Sequence, residues 1–195
     1  MITEYMTEDE LLRFREGVIR KYEAMKNGSC SSKIHRWLIN SRQCKSSKPL
    51  ILEYDYQGQR MYAVLTPLNK KWYYGLEIIT DVESSKGRRR YKFHAFSHEI
   101  HIYTTHSLVR HHQRFMYKSK WSEIYQATVP YIRNGERYEM RIYNNEHVMI
   151  TKRKGNLVYV ITYLHVDDCT DDKYKELFAR IDKPIYSEND IYVWK

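Results

Sequence analysis

The sequence predicts an α+β protein, with N-terminal helices followed by antiparallel sheet and two further helices packed on a C-terminal meander. Three observations predict this. Apolar residues recur at helical spacing near the start, the period changes to two from Leu50, and Gly and Asn punctuate short β-rich runs. Residues 1–48 are expected to form a helical segment. Residues 49–195 are expected to form one antiparallel α+β domain continuous with it.

Taken in order, Thr7-Glu-Asp-Glu10 reads as a helix start, with Thr7 as N-cap and a carboxylate three residues on. Leu11, Phe14, Val18, Tyr22 and Met25 then make an amphipathic stripe to about Lys26, ended by Asn27-Gly28. A weaker helix over 29–47 carries Ile34, Trp37 and Leu38. Both helices read as scaffold or an interaction arm. Strands are expected over 50–56 and 60–66, around Gln57-Gly58-Gln59, then over 72–80 and 91–96 with 99–103. Ser84-Ser-Lys-Gly-Arg-Arg-Arg90 reads as a basic loop. Helices over 105–117 and 121–132 follow, the second ended by Asn134-Gly135. Strands over 137–143, 147–152 and 157–165 make the meander. Thr170 caps a last helix over 171–181, and residues 191–194 read as an edge strand.

Composition bounds the class. The chain has 195 residues, 42% hydrophobic, with 19 tyrosines, and only four prolines and seven glycines, so long disordered tails are not expected. No apolar run approaches the roughly 18 residues of a membrane helix. The acidic first ten residues lack a signal-peptide pattern. Cys30, Cys44 and Cys169 form no C-x-x-C pair, which points to a reducing compartment, and a cytoplasmic location is expected.

Net charge is +9 and uneven. Residues 82–160 hold 15 Lys+Arg against 6 Asp+Glu and seven of the nine histidines, whereas 1–81 hold 13 against 10 and 161–195 hold 5 against 8. Such a segment is the usual footprint of a polyanion partner, because neutralising phosphates releases condensed counterions. Solubilising charge is the plainer alternative.

Within that segment, a helical wheel from His106 places Arg110, Gln113, Arg114 and Tyr117 within about 80° of His106. Leu108, Val109, Phe115 and Met116 fall on the other side, and no acid interrupts the polar face. His112 lies amid the apolar residues and reads as a core or boundary histidine. Metal-independent RNA cleavage needs a base, an acid and fixed positive donors for the charge on phosphorus. Histidine titrates near neutrality and arginine presents a rigid donor fork. The plain alternative is a solvated basic helix face that binds nucleic acid passively or binds nothing.

The stretch Tyr103-Thr-Thr-His-Ser-Leu-Val-Arg-His-His-Gln-Arg114 resembles the opening of small toxin-like ribonuclease domains of the RelE/barnase/colicin (BECR-like) group. Gly135, the meander from Arg137 and the closing Val160-Ile-Thr-Tyr-Leu164 continue the resemblance over roughly residues 98–166. It implies a ribonuclease-like fold in which His106, Arg110 or Arg114, and Thr162 face one catalytic site. It also implies RNA more than DNA as substrate, and leaves room for a protein partner or inhibitor.

Arg88, Arg89, Arg90, Arg141, Lys152, Arg153 and Lys154, with Gln113 and Tyr117, are the expected phosphate-contacting residues. Tyr73, Tyr91, Tyr103 and Tyr143 read as base-stacking or as ordinary strand tyrosines. His94, His98, His101 and His106, or Asp167, Asp168, Asp171 and Asp172, invite a metal reading that helix capping and strand geometry make less economical. No metal, cofactor or membrane contact is therefore expected. Three functional readings follow: a metal-independent ribonuclease-like domain, a non-catalytic nucleic-acid-binding or mobile-element accessory protein, and a structural or protein-interaction component.

Overall fold

A computed structural model of the chain describes residues 1–43, 48–67, 74–95, 97–115, 125–143, 147–181, 189 and 191–194. The chain packs as two compact units, residues 1–101 with 120–122 and residues 102–119 with 123–195.

The first unit opens with α1 (Glu8–Asn27) and α2 (Ser31–Gln43), followed by β1 (Leu50–Tyr56), β2 (Gln59–Pro67), β3 (Tyr74–Ser84) and β4 (Gly87–His94). A capping box starts α1: Thr7 Oγ1 accepts from the Glu10 N–H at 3.3 Å, and Glu10 Oε2 accepts from the Thr7 N–H at 2.7 Å. Its stripe of Leu11, Phe14, Val18 and Tyr22 is buried. The strands bury one face in register. Leu52 pairs with Ala63, Ala63 with Ile78, and Ile78 with Phe93, all almost wholly inaccessible. Alternate positions carry charges: Glu77 with Lys92, and Asp81 with Arg90. That is the pattern of an antiparallel sheet covered on one side.

Helix α1 approaches this sheet through Gly17, where a Cβ would stand 1.8 Å from the Tyr56 hydroxyl. Arg15, from the same helix, is 5% exposed and donates to three backbone carbonyls at the end of β4 and just beyond it. Its Nη2 reaches His94 O at 2.7 Å, Ala95 O at 3.3 Å and Ser97 O at 2.5 Å. A buried guanidinium supplies several donors at once, which suits a place where the chain leaves a strand and turns.

The second unit holds α3 (Thr105–Phe115), then β6 (Tyr125–Arg133), β7 (Glu136–Tyr143), β8 (His147–Lys154) and β9 (Leu157–His165). A 3₁₀ turn (Val166–Asp168), α4 (Asp172–Phe178) and β10 (Tyr192–Trp194) complete it. The meander is covered on both faces. Val129, Tyr131, Met140, Ile142, Val148 and Ile150 form one cluster with Leu177 of α4. Tyr103, Met149, Val160 and Tyr163 form the other, under Leu108 of α3. Strand β10 adds in parallel beside β6, where the Trp194 ring meets Tyr131 and Tyr174 at 5.5 and 5.1 Å.

The division between units falls within β5 (Ile100–Tyr103). The ten strands run β1-β2-β3-β4-β5-β9-β8-β7-β6-β10 in one mixed sheet, with four helices among the described residues. This corrects the predicted architecture of N-terminal helices followed by antiparallel sheet, with two helices packed on a C-terminal meander.

Three local differences accompany the correction, and the first bears on it directly. The helix predicted over 121–132 is replaced by β6. A helix would place Pro130 in its interior, at a cost of about 3 kcal/mol. In the strand, Val129 and Tyr131 point inward and Asn134-Gly135 makes the β6–β7 hairpin turn, with φ of 52° and 74°. Asn-Gly serves helix ends and such turns alike, hence the misreading. The predicted basic loop is the start of β4, where Arg88, Arg89 and Arg90 pair in register with Glu83, Val82 and Asp81. Finally, Asp171 caps α4, accepting from the Lys173 N–H at 2.9 Å, in place of the predicted Thr170.

Candidate nucleic-acid interface

Helix α3 begins at a local cap: Thr104 Oγ1 accepts from the Ser107 N–H at 3.2 Å, and Ser107 Oγ donates to Thr104 O at 2.9 Å. Its inward contact is Leu108, set against Tyr103, Met149, Val160 and Tyr163. His106 is exposed and Arg110 half-buried, one turn apart on the side away from Leu108. Val109, assigned to the apolar side by the sequence, is 47% exposed. Gln113 and Arg114 lie on α3, but their side chains, and that of His112, are outside the described residues, as is Tyr117.

Thr162 does not join His106 and Arg110. On an unbroken strand, Val160 and Thr162 would share a face. The β8–β9 register shifts between Ile150 and Thr151, so that Ile150 pairs with Thr162 and Thr151 with Val160, leaving Ile161 as the extra residue. This bulge carries Val160 and Tyr163 to the α3 side and leaves Thr162 in register with Ile150, which belongs to the α4 cluster. The sheet stands between Thr162 and the helix.

Most of the other expected phosphate-contacting cations are held by acids. Arg90 grips Asp81 with two bonds of 2.7 and 2.9 Å, and Arg88 bonds the same carboxylate. Desolvation pushes the Asp81 carboxyl up, but the bonds and charges of Arg90 and Arg88 outweigh it and hold it below its ordinary value. Arg89 stands 3.9 Å from Glu4, and Lys152 reaches Glu136 at 2.5 Å. Lys154 is exposed at the end of β8.

Arg141 is an interior residue at 3% exposure, on the α3 side of the meander by its register with Met149. It donates to Glu139 Oε2 through Nη2 at 2.7 Å and Nε at 3.1 Å, while Arg153 Nε reaches Glu139 Oε1 at 2.6 Å. Burial pushes the Glu139 carboxyl up; the two guanidiniums more than reverse this and hold it below the usual carboxylate range. Thr151 donates to the Glu139 carbonyl at 3.3 Å, and His147 is also buried on this face. One carboxylate shared between two arginines ties three strand positions together. The sequence singled out both arginines without the acid that holds them.

His94 and His101 sit on β4 and β5, and their rings meet at 4.3 Å, with His101 Nε2 3.0 Å from Glu99. Among the described residues, no three His, Cys, Asp or Glu side chains converge as a metal site requires. None of the described helices is long and apolar enough to cross a membrane.

Folding also regroups the charge. The first unit carries 19 Lys+Arg against 12 Asp+Glu, and the second 14 against 12. The basic window over 82–160 is therefore not a basic unit. Its first twenty residues belong to the unit that also holds α1 and α2, the helices read from the sequence as scaffold or an interaction arm. Comparison with family models, curated proteins and solved structures yields no match.

Proposed function

We propose that the chain binds nucleic acid, RNA in preference to DNA, through phosphate contacts, without cleaving it at the α3 ladder. The observation that carries this reading is the charge partition, 19 cations against 12 acids in the first unit. Excess cations of this kind release counterions when they meet phosphates, and that supplies affinity without sequence readout. The separation of Thr162 from His106 by the sheet favours the non-catalytic reading over the ribonuclease one. Catalysis at phosphorus needs the base, the acid and the positive donors within hydrogen-bond reach of one phosphate.

The test is a labelled RNA incubated with the protein in EDTA. Binding that weakens steeply with salt, with the RNA intact, is the expected result. Cleavage by the wild type that His106→Ala abolishes, with binding retained, would establish the ribonuclease reading in its place. Absence of binding at low salt would leave a protein-interaction role.

A further inference from the structure

The longest acid-free stretch of the charged N-terminal half runs over residues 24–52. It contains Lys26, Lys33, Arg36, Arg42, Lys45 and Lys48 and no Asp or Glu. Helix α2 lies inside it. Lys33, Arg36, Trp37 and Asn40 recur at the i, i+3, i+4, i+7 spacing that places side chains along one helix face. That face lines an open concavity of about 430 Å³, together with Ser29, Ser32 and Leu50. Lys33, Arg36 and Asn40 are exposed, and among the described residues neither Lys33 nor Arg36 is in an ion pair. This contrasts with Arg88, Arg90, Lys152 and Arg153, all committed to acids. The groove also has a fixed aromatic wall. Trp37 is half-buried, its Nε1 donates to Lys48 O at 3.1 Å, and its ring meets Tyr74 edge-on at 6.1 Å.

We propose that this α2 groove binds single-stranded nucleic acid, the backbone phosphates lying against Lys33 and Arg36 and a base resting against Trp37. The inference rests on the nucleic-acid reading above and gives it a place. Charge complementarity selects a polyanion, since the groove offers cations and hydroxyl and amide donors but no carboxylate. The aromatic wall selects a strand whose bases are unpaired, because an indole offers a π face to any base, and a duplex keeps its bases stacked inside. Holding the indole N–H on a backbone carbonyl fixes the ring before ligand arrives, which lowers the ordering cost of binding.

The test uses the full chain and fluorescence anisotropy of a labelled oligouridylate about a dozen nucleotides long, titrated from about 50 to 200 mM salt. The double variant Lys33→Glu/Arg36→Glu changes exposed positions only. It is expected to bind at least about tenfold more weakly at low salt, with the salt slope shallower by about 1.4, roughly 0.7 for each phosphate contact on a single strand. Arg13→Glu/Lys21→Glu, an equal charge change on exposed positions of α1, is expected to bind nearly as well as wild type. Trp37→Phe is expected to weaken binding without changing the salt slope. Equal weakening by the α1 variant, or wild-type affinity in the α2 variant, overturns the groove while leaving the nucleic-acid reading intact. No binding by the wild type overturns both. Binding to phosphatidylglycerol vesicles but not to the oligonucleotide overturns both in favour of a membrane surface.

Discussion

Glu139→Gln is the sharpest test of how the second unit is held together. In the folded chain, Glu139 is 5% exposed and its carboxylate takes bonds from Arg141 at 2.7 Å and Arg153 at 2.6 Å. The amide keeps the side-chain shape and one acceptor oxygen but removes the charge. Two guanidiniums then face each other across a neutral group, and the amide nitrogen points a donor at a donor. Breaking a buried pair by removing one partner costs about 3–5 kcal/mol. The acceptor that Gln retains, and the partial exposure of Arg153, reduce this to about 2–4 kcal/mol. Urea unfolding followed by far-UV circular dichroism, with slopes compared between variants, measures it. Glu136→Gln, which removes an exposed pair with Lys152, is the control and is expected to leave the midpoint almost unchanged. A loss below about 1 kcal/mol in Glu139→Gln would refute the reasoning, because the network would then be no stronger than a surface pair.

Other expectations follow from the same geometry. Gly17→Ala should destabilise by about 1–2 kcal/mol despite alanine's better helix propensity, because the new Cβ meets the Tyr56 hydroxyl at 1.8 Å; Tyr56→Phe should recover part of the loss in thermal unfolding. Arg15→Lys should cost about 1–3 kcal/mol and raise amide exchange around residues 94–99, since an ammonium cannot span the three carbonyls that the guanidinium holds. Unchanged exchange there would show that the bend is held by other contacts. For pH, Asp81 and Glu139 both have folded-state values below their ordinary ones. The unfolded chain therefore takes up the proton first as pH falls, so this stabilisation is complete above about pH 5 and is lost as pH drops through about 4 and below. The urea midpoint should follow that course, and Glu139→Gln should flatten it. A midpoint unchanged down to about pH 3 would contradict the assignment.

Much of the local structure was legible in the chain. The Thr7–Glu10 box, the Leu11–Phe14–Val18–Tyr22 stripe, the Gln57-Gly58 turn and the sequential β7–β8–β9 hairpins need only neighbours in sequence to form. The candidate site was legible in part. The spacing of His106 and Arg110 puts both on the outer side of α3, which is a property of any helix. Whether Thr162 joins them depends on the single extra residue at Ile161, and a bulge leaves no mark in an alternating apolar pattern. Asn134-Gly135 was equally compatible with a helix end and a hairpin; Pro130 was the available signal that decided for the hairpin.

The sequence by itself determined the secondary elements with strong periodicity, the basic balance of +9 and the acid-free run over 24–52. Tertiary structure alone decided what those charges do. It assigned residues 82–101 to the first unit, set Arg88 and Arg90 on Asp81, and sank Arg141 beside Glu139. It left Lys33 and Arg36 facing solvent along one groove. The physical reason is that helical and strand periods act over a few residues, whereas an ion pair forms between groups that register and packing bring together from distant parts of the chain. A count of charges along a sequence cannot tell a cation that is spent on an internal carboxylate from one that remains to meet a phosphate.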